Sequence, residues 1–449
     1  MGWQDEYNAK FMSAEEAAQL LQPGDVLRSG IGADARSLIP ALFARVVELG
    51  MNVRIISSSP SPAQEWFGDE YAELGFDLSS EIFAGATARV GLMDRRVDWY
   101  PSLFSNSFNV WDRLPESERE PMDYFHCSVT APDENGYMGT GGLAWQKLDY
   151  IERSRTSVVE VCPFLPDVPG ERIHVSQVSA IIPTALDGLP LLERAGTDAA
   201  ATIAGFVNEI IEDGDTCQIG AGRTATFLPE FGAFHGKKDL GWHSEITPAG
   251  VVQLMMEGVF NSSRKTYDVG LHVTASVNAR TQEHWDWLNS NPPLEARRVT
   301  SVNHIMSIGR HERFTAINNA FEVDLTGQVY SEAIGTRVYN GTGGQTEFHI
   351  GAAISPGGKA ITVVPATATG GTITRIVAPG PAEGYVTVPR TFADFVVTEF
   401  GIARLGGKSQ RQRAEQLIAI AHPDHRGELR DAINTHFYPS GVRASALGD

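Results

Sequence analysis

Along the first sixty residues the spacing of apolar positions changes period twice. Ser13-Ala14-Glu15-Glu16 has the form of a capping box and opens a short helix that Pro23-Gly24 stops. Asp25 to Ser29 reads as a strand, and Gly30-Ile31-Gly32-Ala33-Asp34-Ala35 as a glycine turn. Leu38 to Leu49 carries a helical pattern, and the β-branched run Asn52 to Ser57 reads as the next strand. Strand, glycine turn, helix, strand is the pattern of a parallel sheet.

The same unit returns further along. Gly24, Asp25, Gly30, Gly32 and Ala35 map at one constant offset onto Gly214, Asp215, Gly220, Gly222 and Ala225. A helix and then a Leu-Gly pair are expected in both copies, at Leu49-Gly50 and Leu240-Gly241. This implies two α/β domains of like topology, 1–192 and 193–449, with the boundary near Asp187 to Asp198. The alternative is that any strand-to-helix turn favours Gly and Asp. Later glycine pairs at 343–344, 357–358, 370–371 and 406–407 flank β-branched runs, and Ser409 to Phe437 reads as helical.

A length of 449 residues is too great for one ordinary core and fits two or three domains. Hydrophobic residues at 42% and charged residues at 20% are the profile of a soluble globular chain. No apolar run approaches the roughly 20 residues of a membrane helix, and the polar start from Met1 to Lys10 has no signal-peptide character. A cytoplasmic protein with no membrane partner is expected. Cys127, Cys162 and Cys217 lack CxxC spacing, which argues against a disulfide framework or structural zinc. The net charge of −19 argues against nucleic acid as a partner. It leaves room for a phosphate-bearing ligand, which needs only a local nest of N–H groups.

Four constellations carry candidate chemistry. Gly241-Trp242-His243-Ser244-Glu245 is read as ending a strand just before a helix start at Thr247-Pro248. Glu245 there would be a nucleophile, a general base or a ribose anchor, or else a helix N-terminal acid that stabilises the dipole. Gln218-Ile219-Gly220-Ala221-Gly222 and Asn340-Gly341-Thr342-Gly343-Gly344-Gln345 are glycine-dense, the second read as a loop between strands. Both would offer backbone N–H groups to a ligand, or simply be tight turns. Pro132-Asp133-Glu134-Asn135-Gly136 is a turn signal. His422-Pro423-Asp424-His425 lacks a partner ligand, so capping is expected there rather than metal binding. No metal site is expected. One rival remains: Gly220-x-Gly222-x-x-Ala225 after a strand fits the fingerprint of an NAD-dependent dehydrogenase. That reading leaves the Gly341 to Gly344 loop without a role.

Taken in order, these segments resemble the acetyl-CoA hydrolase/transferase family, which includes 4-hydroxybutyrate CoA-transferases. The resemblance is carried by the run from Asp213 to Gly222, by His243-Ser244-Glu245 and Val302-Asn303-His304, and by the run from Ile317 to Gln328. It continues in Gly335-Thr336-Arg337, Gly341 to Gly344, Gly371 to Val377, Val397 to Ala403, and Ile420 to Asp424.

The resemblance implies two similar open-sheet α/β domains of the CoA-transferase (NagB/RpiA-like) type, with the active site at their interface. It implies coenzyme A, as acyl-CoA, and a free carboxylic acid as substrates, with acyl-CoA hydrolysis as the near alternative. Glu245 would be the covalent nucleophile. The N–H groups of Ala221 and Gly344 would form the oxyanion hole, Asn303 would orient reactants, and Gln218 would lie beside the reacting centre. Gly220, Gly222, Gly341, Gly343 and Lys408 would contact CoA. Departures are Ile246, where the family often has Met, and Gly406-Gly407-Lys408, where it often has Arg-Gly-Lys. The second departure leaves Arg404, Lys408, Arg411 and Arg413 open as phosphate contacts or as a solvated helix face. Family members commonly self-associate, so a homodimer or larger assembly is expected. A stretch from Trp99 to Trp111, rich in aromatic side chains, would line the acid pocket or serve as core.

Overall fold

The computed structural model describes all residues except 1, 33, 83–84, 189–195, 380–383 and 438–449. Most of the expected boundary stretch and Ala33 of the first turn therefore lie outside the described residues. The chain divides into two compact units. Unit 1 comprises Met1–Leu192, Val273–His304 and Arg337–Gly343; unit 2 comprises Glu193–His272, Ile305–Thr336 and Gly344–Asp449.

After a first helix over Trp3–Lys10, unit 1 forms helix α1, Ala14–Ala18, under the capping box: Ser13 Oγ accepts from Glu16 N–H, and Glu16 accepts from Ser13 N–H at 2.9 Å. Strand β1, Val26–Ile31, helix α2, Ile39–Leu49, and strand β2, Arg54–Ser59, follow as the polar pattern dictates. Strands β3, Asp77–Glu81, and β4, Val97–Tyr100, precede helix α3, Ser107–Arg113. Strand β5, Tyr124–Val129, helix α4, Lys147–Arg153, and strands β6, Thr156–Val161, and β7, Ala180–Pro183, complete the sheet. The order is β4-β3-β2-β1-β5-β6-β7, every pairing parallel. Such a sheet is covered on both faces, so all six residues of β5 and of β6 are buried.

Unit 2 begins with helix α5, Asp198–Ile210, then strand β8, Thr216–Ile219, strand β9, Gly241–Thr247, and helix α6, Ala249–Met256. Strand β10, Phe314–Asn319, leads on to helix α7, Gln345–Ile354, and strand β11, Lys359–Val363. Strands β12, Phe395–Thr398, and β13, Gly401–Arg404, and helices α8, Gln410–Ile420, and α9, Arg426–His436, end the described chain. Six strands lie side by side in the order β9-β8-β10-β11-β12-β13, parallel except for the terminal β12–β13 hairpin. This is the α/β class that the sequence predicts, with a parallel sheet in each unit.

The internal repeat is visible at the strand entries. Gly24 and Gly214 both have positive φ, at 90° and 80°. In each copy the following Asp accepts from the N–H three residues back, Gln22 to Asp25 at 2.7 Å and Glu212 to Asp215 at 2.9 Å. After the strand the copies diverge. The first reaches α2, whereas the second makes only a 3-10 turn at Ala225–Phe227. The expected second helix is absent because Pro229, Gly232 and Gly236 interrupt the run, both glycines at positive φ. The predicted helix from Ser409 to Phe437 is likewise two helices, α8 and α9, parted by a 3-10 turn at Pro423–His425 that His422 caps. Among the described residues no helix is long and apolar enough to cross a membrane.

Candidate active site at the carboxyl edge of the unit 2 sheet

Glu245 is 4% exposed and lies inside β9, not beyond its end. The β-branched Ile246 and Thr247 carry the strand two residues further, and Pro248 caps α6. The reading of Glu245 as a helix N-terminal acid therefore fails. Strands β8 and β9 pair in parallel, Thr216 beside Gly241 and Cys217 beside Trp242. Ser244 Oγ reaches Ile219 O at 3.3 Å in the same register. One residue on, that register sets Glu245 beside Gly220. On the other flank, β8 and β10 pair Ile219 with Ile317, which sets Gly220 beside Asn318. Registered neighbours in a parallel sheet share a face. Glu245, Gly220 and Asn318 thus form one row across three strands, with the glycine in the middle.

Gly220 is required there, because an added Cβ would stand 2.2 Å from Asn318 Oδ1. Gly222 is required for a second reason: its φ is 147°, and a Cβ would stand 2.3 Å from Asn319 Nδ2. The two asparagines hold this turn. Asn319 donates Nδ2–H to Ala221 O at 2.9 Å and accepts from Ala225 N–H at 3.0 Å. Asn318 and the buried Gln218 exchange amide hydrogen bonds at 3.0 and 3.1 Å, and Ile317 N–H donates to Gln218 Oε1 at 3.2 Å. The Gln218 amide is therefore engaged within the sheet. Gly222 N–H donates to Thr226 Oγ1 at 3.2 Å, while Ala221 and Gly222 themselves are exposed. Asn318 and Asn319 fall in the resembling run from Ile317 to Gln328 with no role expected for either; the signal is an Asn pair that ends an apolar strand.

The strand order reverses between β8 and β10, so the Gly220–Gly222 turn sits at a topological switch point, where ligands bind in open parallel sheets. Gly344 reaches the same edge by another route. It is the N-cap of α7, so the 341–344 stretch leads into a helix rather than joining two strands. The far end of α7 is tied to the start of β10, where Ser355 Oγ accepts from Phe314 N–H at 3.1 Å and Arg313 N–H donates to Pro356 O at 2.8 Å. A ten-residue helix rises about 15 Å, so its N-terminus lies at the carboxyl edge of the sheet. Its first N–H groups are suited to a developing negative charge.

Other predicted residues fall elsewhere. Lys408 is exposed and follows β13, whose Arg404 pairs with the first residue of β12, at the amino edge. Asn303 belongs to unit 1, where it is buried and its N–H donates to Val299 O at 2.9 Å at the end of a short helix. Gly341 and Gly343 also belong to unit 1. His243 packs in an aromatic cluster, its ring 5.1 Å from that of His311. Burial, first, and then His243 and Lys265 push the His311 imidazole down to about 2. The dehydrogenase fingerprint needs a helix directly after the turn to meet a pyrophosphate, and the 3-10 turn at Ala225–Phe227 does not supply it. Among the described residues no group of three or more His, Cys, Asp or Glu could hold a metal.

Comparison with known proteins identifies the family. Over 442 residues the chain is 35% identical to the succinyl-CoA:cyclohexane-1-carboxylate CoA transferase of Geobacter metallireducens, covering 96% of each. The crystal structure of RipA from Yersinia pestis matches with a TM-score of 0.86 and 30% identity over 97% of this chain and 99% of that one. A 4-hydroxybutyrate CoA-transferase from Porphyromonas gingivalis matches with a TM-score of 0.78 and 30% identity over 97% and 100%. More distant relatives, 23% identical, are named acetyl-CoA hydrolases. The acetyl-CoA hydrolase/transferase N-terminal domain model matches residues 1–193 and the C-terminal domain model residues 281–433. With both domain models matched and relatives aligned along nearly its whole length, the chain belongs to the acetyl-CoA hydrolase/transferase family.

Proposed function

We propose that the chain is a CoA-transferase that moves CoA from an acyl-CoA to a free carboxylic acid, with Glu245 as the covalent carrier. The observation that supports this most is the row of Glu245, Gly220 and Asn318 at a switch point, beneath the turn held by Asn319. A transfer between acids must keep the thioester's energy from water. An enzyme carboxylate meets that need because it is chemically equivalent to either substrate acid.

Glu245 attacks the thioester carbonyl, a C–O bond forms and the C–S bond breaks, and CoA leaves as the thiolate. The product is an acyl-glutamyl anhydride. The thiolate attacks the glutamyl carbonyl, the first acid departs as carboxylate, and a glutamyl-CoA thioester remains. A second acid reverses both steps. Each addition passes through a tetrahedral oxyanion, which the N–H groups of Ala221 and Gly344 receive; one such donor lowers the barrier by roughly 3 kcal/mol. Asn303 keeps its role as an orienting group, and Gly220, Gly222, Gly341 and Gly343 keep theirs as CoA contacts, whereas Lys408, at the amino edge of the sheet, is not counted among them. The protein works as a homo-oligomer in the cytoplasm.

Hydrolysis is the second reading, favoured by the hydrolase names among the distant relatives. Thioester turnover with and without an added acid separates the two. Transfer predicts little free CoA with or without an acceptor, and new acyl-CoA in proportion to the acceptor consumed. Free thiol released at the same rate without acceptor overturns it.

A further inference from the structure

Unit 1 holds a pocket of about 540 Å³ to which the proposed chemistry of Glu245 assigns nothing. That size is ordinary for a small-molecule site. Its wall includes Leu103, Phe108, Val110, Trp111, Leu114 and Met122, and Arg28, Glu81 and Tyr150 form its polar side. Of the aromatic stretch in the sequence, Tyr100, Phe108 and Trp111 line it. Phe104 instead stacks on Trp145 in the core.

The polar side is unevenly satisfied. Glu81 Oε1 accepts from Tyr150 Oη–H and from Ser58 Oγ–H at 2.7 Å. Arg28 is only 5% exposed. Among the described residues it donates Nε–H to Pro121 O at 3.3 Å and stands 4.0 Å from Glu81, too far for a hydrogen bond. A buried guanidinium that keeps donors facing a cavity favours an occupant carrying an acceptor oxygen. Charge limits that occupant. Glu81, Glu118 and Glu120 line the pocket with Arg28, and Arg54 pairs with Glu120 at 3.1 Å from behind the wall, so one carboxylate remains in excess and a second carboxylate on the occupant is disfavoured.

Chain continuity links the pocket to the proposed chemistry. Thr342 lines it and donates Oγ–H to Ser102 O at 3.4 Å. Gly343 and Gly344 follow directly in the chain, and Gly344 carries a proposed oxyanion donor.

We infer that this pocket takes the body of the carboxylic acid substrate. That body is uncharged, largely hydrocarbon and bulkier than acetate's methyl group, as in a cyclic or aromatic monocarboxylate, and a neutral oxygen on it meets Arg28. The inference rests on the transferase reading. Its test measures binding separately from turnover. Calorimetric titration of the whole protein with benzoate, 3-hydroxybenzoate and isophthalate varies one substituent on a constant ring. The expected result is binding of benzoate and 3-hydroxybenzoate, with isophthalate at least tenfold weaker than 3-hydroxybenzoate. Leu103→Trp and Val110→Trp fill the pocket from a half-buried and a 41% exposed position and so spare the core. Each should weaken benzoate at least tenfold, with circular dichroism confirming the fold. Equal binding of isophthalate, unchanged benzoate affinity in both variants, or no ring-acid binding by the native protein overturns the inference. Exchange of labelled acetate into acetyl-CoA and of labelled benzoate into benzoyl-CoA reads the transferase chemistry on its own. Acetate exchange without ring-acid binding removes only the pocket assignment, whereas exchange with neither pair removes the transferase reading beneath it.

Discussion

At the scale of single residues, the transfer chemistry depends on where one carboxylate stands and on what holds the turn beside it. Glu245→Asp withdraws the carboxylate by one methylene from a fixed strand, and a displacement of that size costs roughly a hundredfold in kcat. Steady-state kinetics on a variant with native melting behaviour checks this. Asn319 is a positioning residue, since both arms of its amide hold the Ala221 turn from below. Asn319→Ala should lower kcat at least tenfold with a smaller change in KM for acyl-CoA, and cost about 1 kcal/mol of stability per lost bond. Asn319→Asp keeps an acceptor for Ala225 N–H but no donor for Ala221 O, so partial recovery of kcat is expected. Equal kcat in all three proteins contradicts the positioning role.

At the scale of elements, the glycines mark where backbone meets backbone. An added Cβ on Gly341 would stand 1.9 Å from Ile82 O and 2.5 Å from the Trp99 ring, all within unit 1. A main-chain oxygen cannot swing aside, so Gly341→Ala should destabilise by about 3 kcal/mol, read as a lower denaturant midpoint. Gly188→Ala, with nothing within 4 Å of its Cβ, is the control. Much at this level was legible beforehand. The capping box at Ser13, the strand at β1, the helix α2 and the glycine turns follow from side-chain chemistry within a few residues of each other. What was not legible depends on tertiary partners. The end of β9 was set too early because Thr247-Pro248 looks like a helix start, whereas burial of Ile246 and Thr247 keeps them in the sheet. The role of Asn318 and Asn319 needs β10 beside β8, strands about a hundred residues apart in sequence. The edge on which Lys408 falls depends on the direction of β13, which local sequence does not state.

At the scale of the whole molecule, buried histidines set the response to acid. Burial pushes His349 down to about 4, and burial followed by Lys265 pushes His272 down to about 3. Both imidazoles are neutral in the folded chain and bind a proton more readily once it unfolds. Their stabilising effect is complete above the unfolded value near 6.5 and is lost as pH falls from there towards the folded values. For His349 the loss is about 3 kcal/mol over that window. The melting temperature should drop between pH 6.5 and 4, and His349→Leu should flatten the profile. A flat native profile contradicts this. The most direct measurement is intact-mass analysis after incubation with an acyl-CoA alone, because it reads the bond on which the account depends. The native protein should gain the mass of CoA less one water, located on Glu245, and Glu245→Ala should gain nothing; the same gain in Glu245→Ala, or none in a native protein that turns over acyl-CoA, contradicts the account.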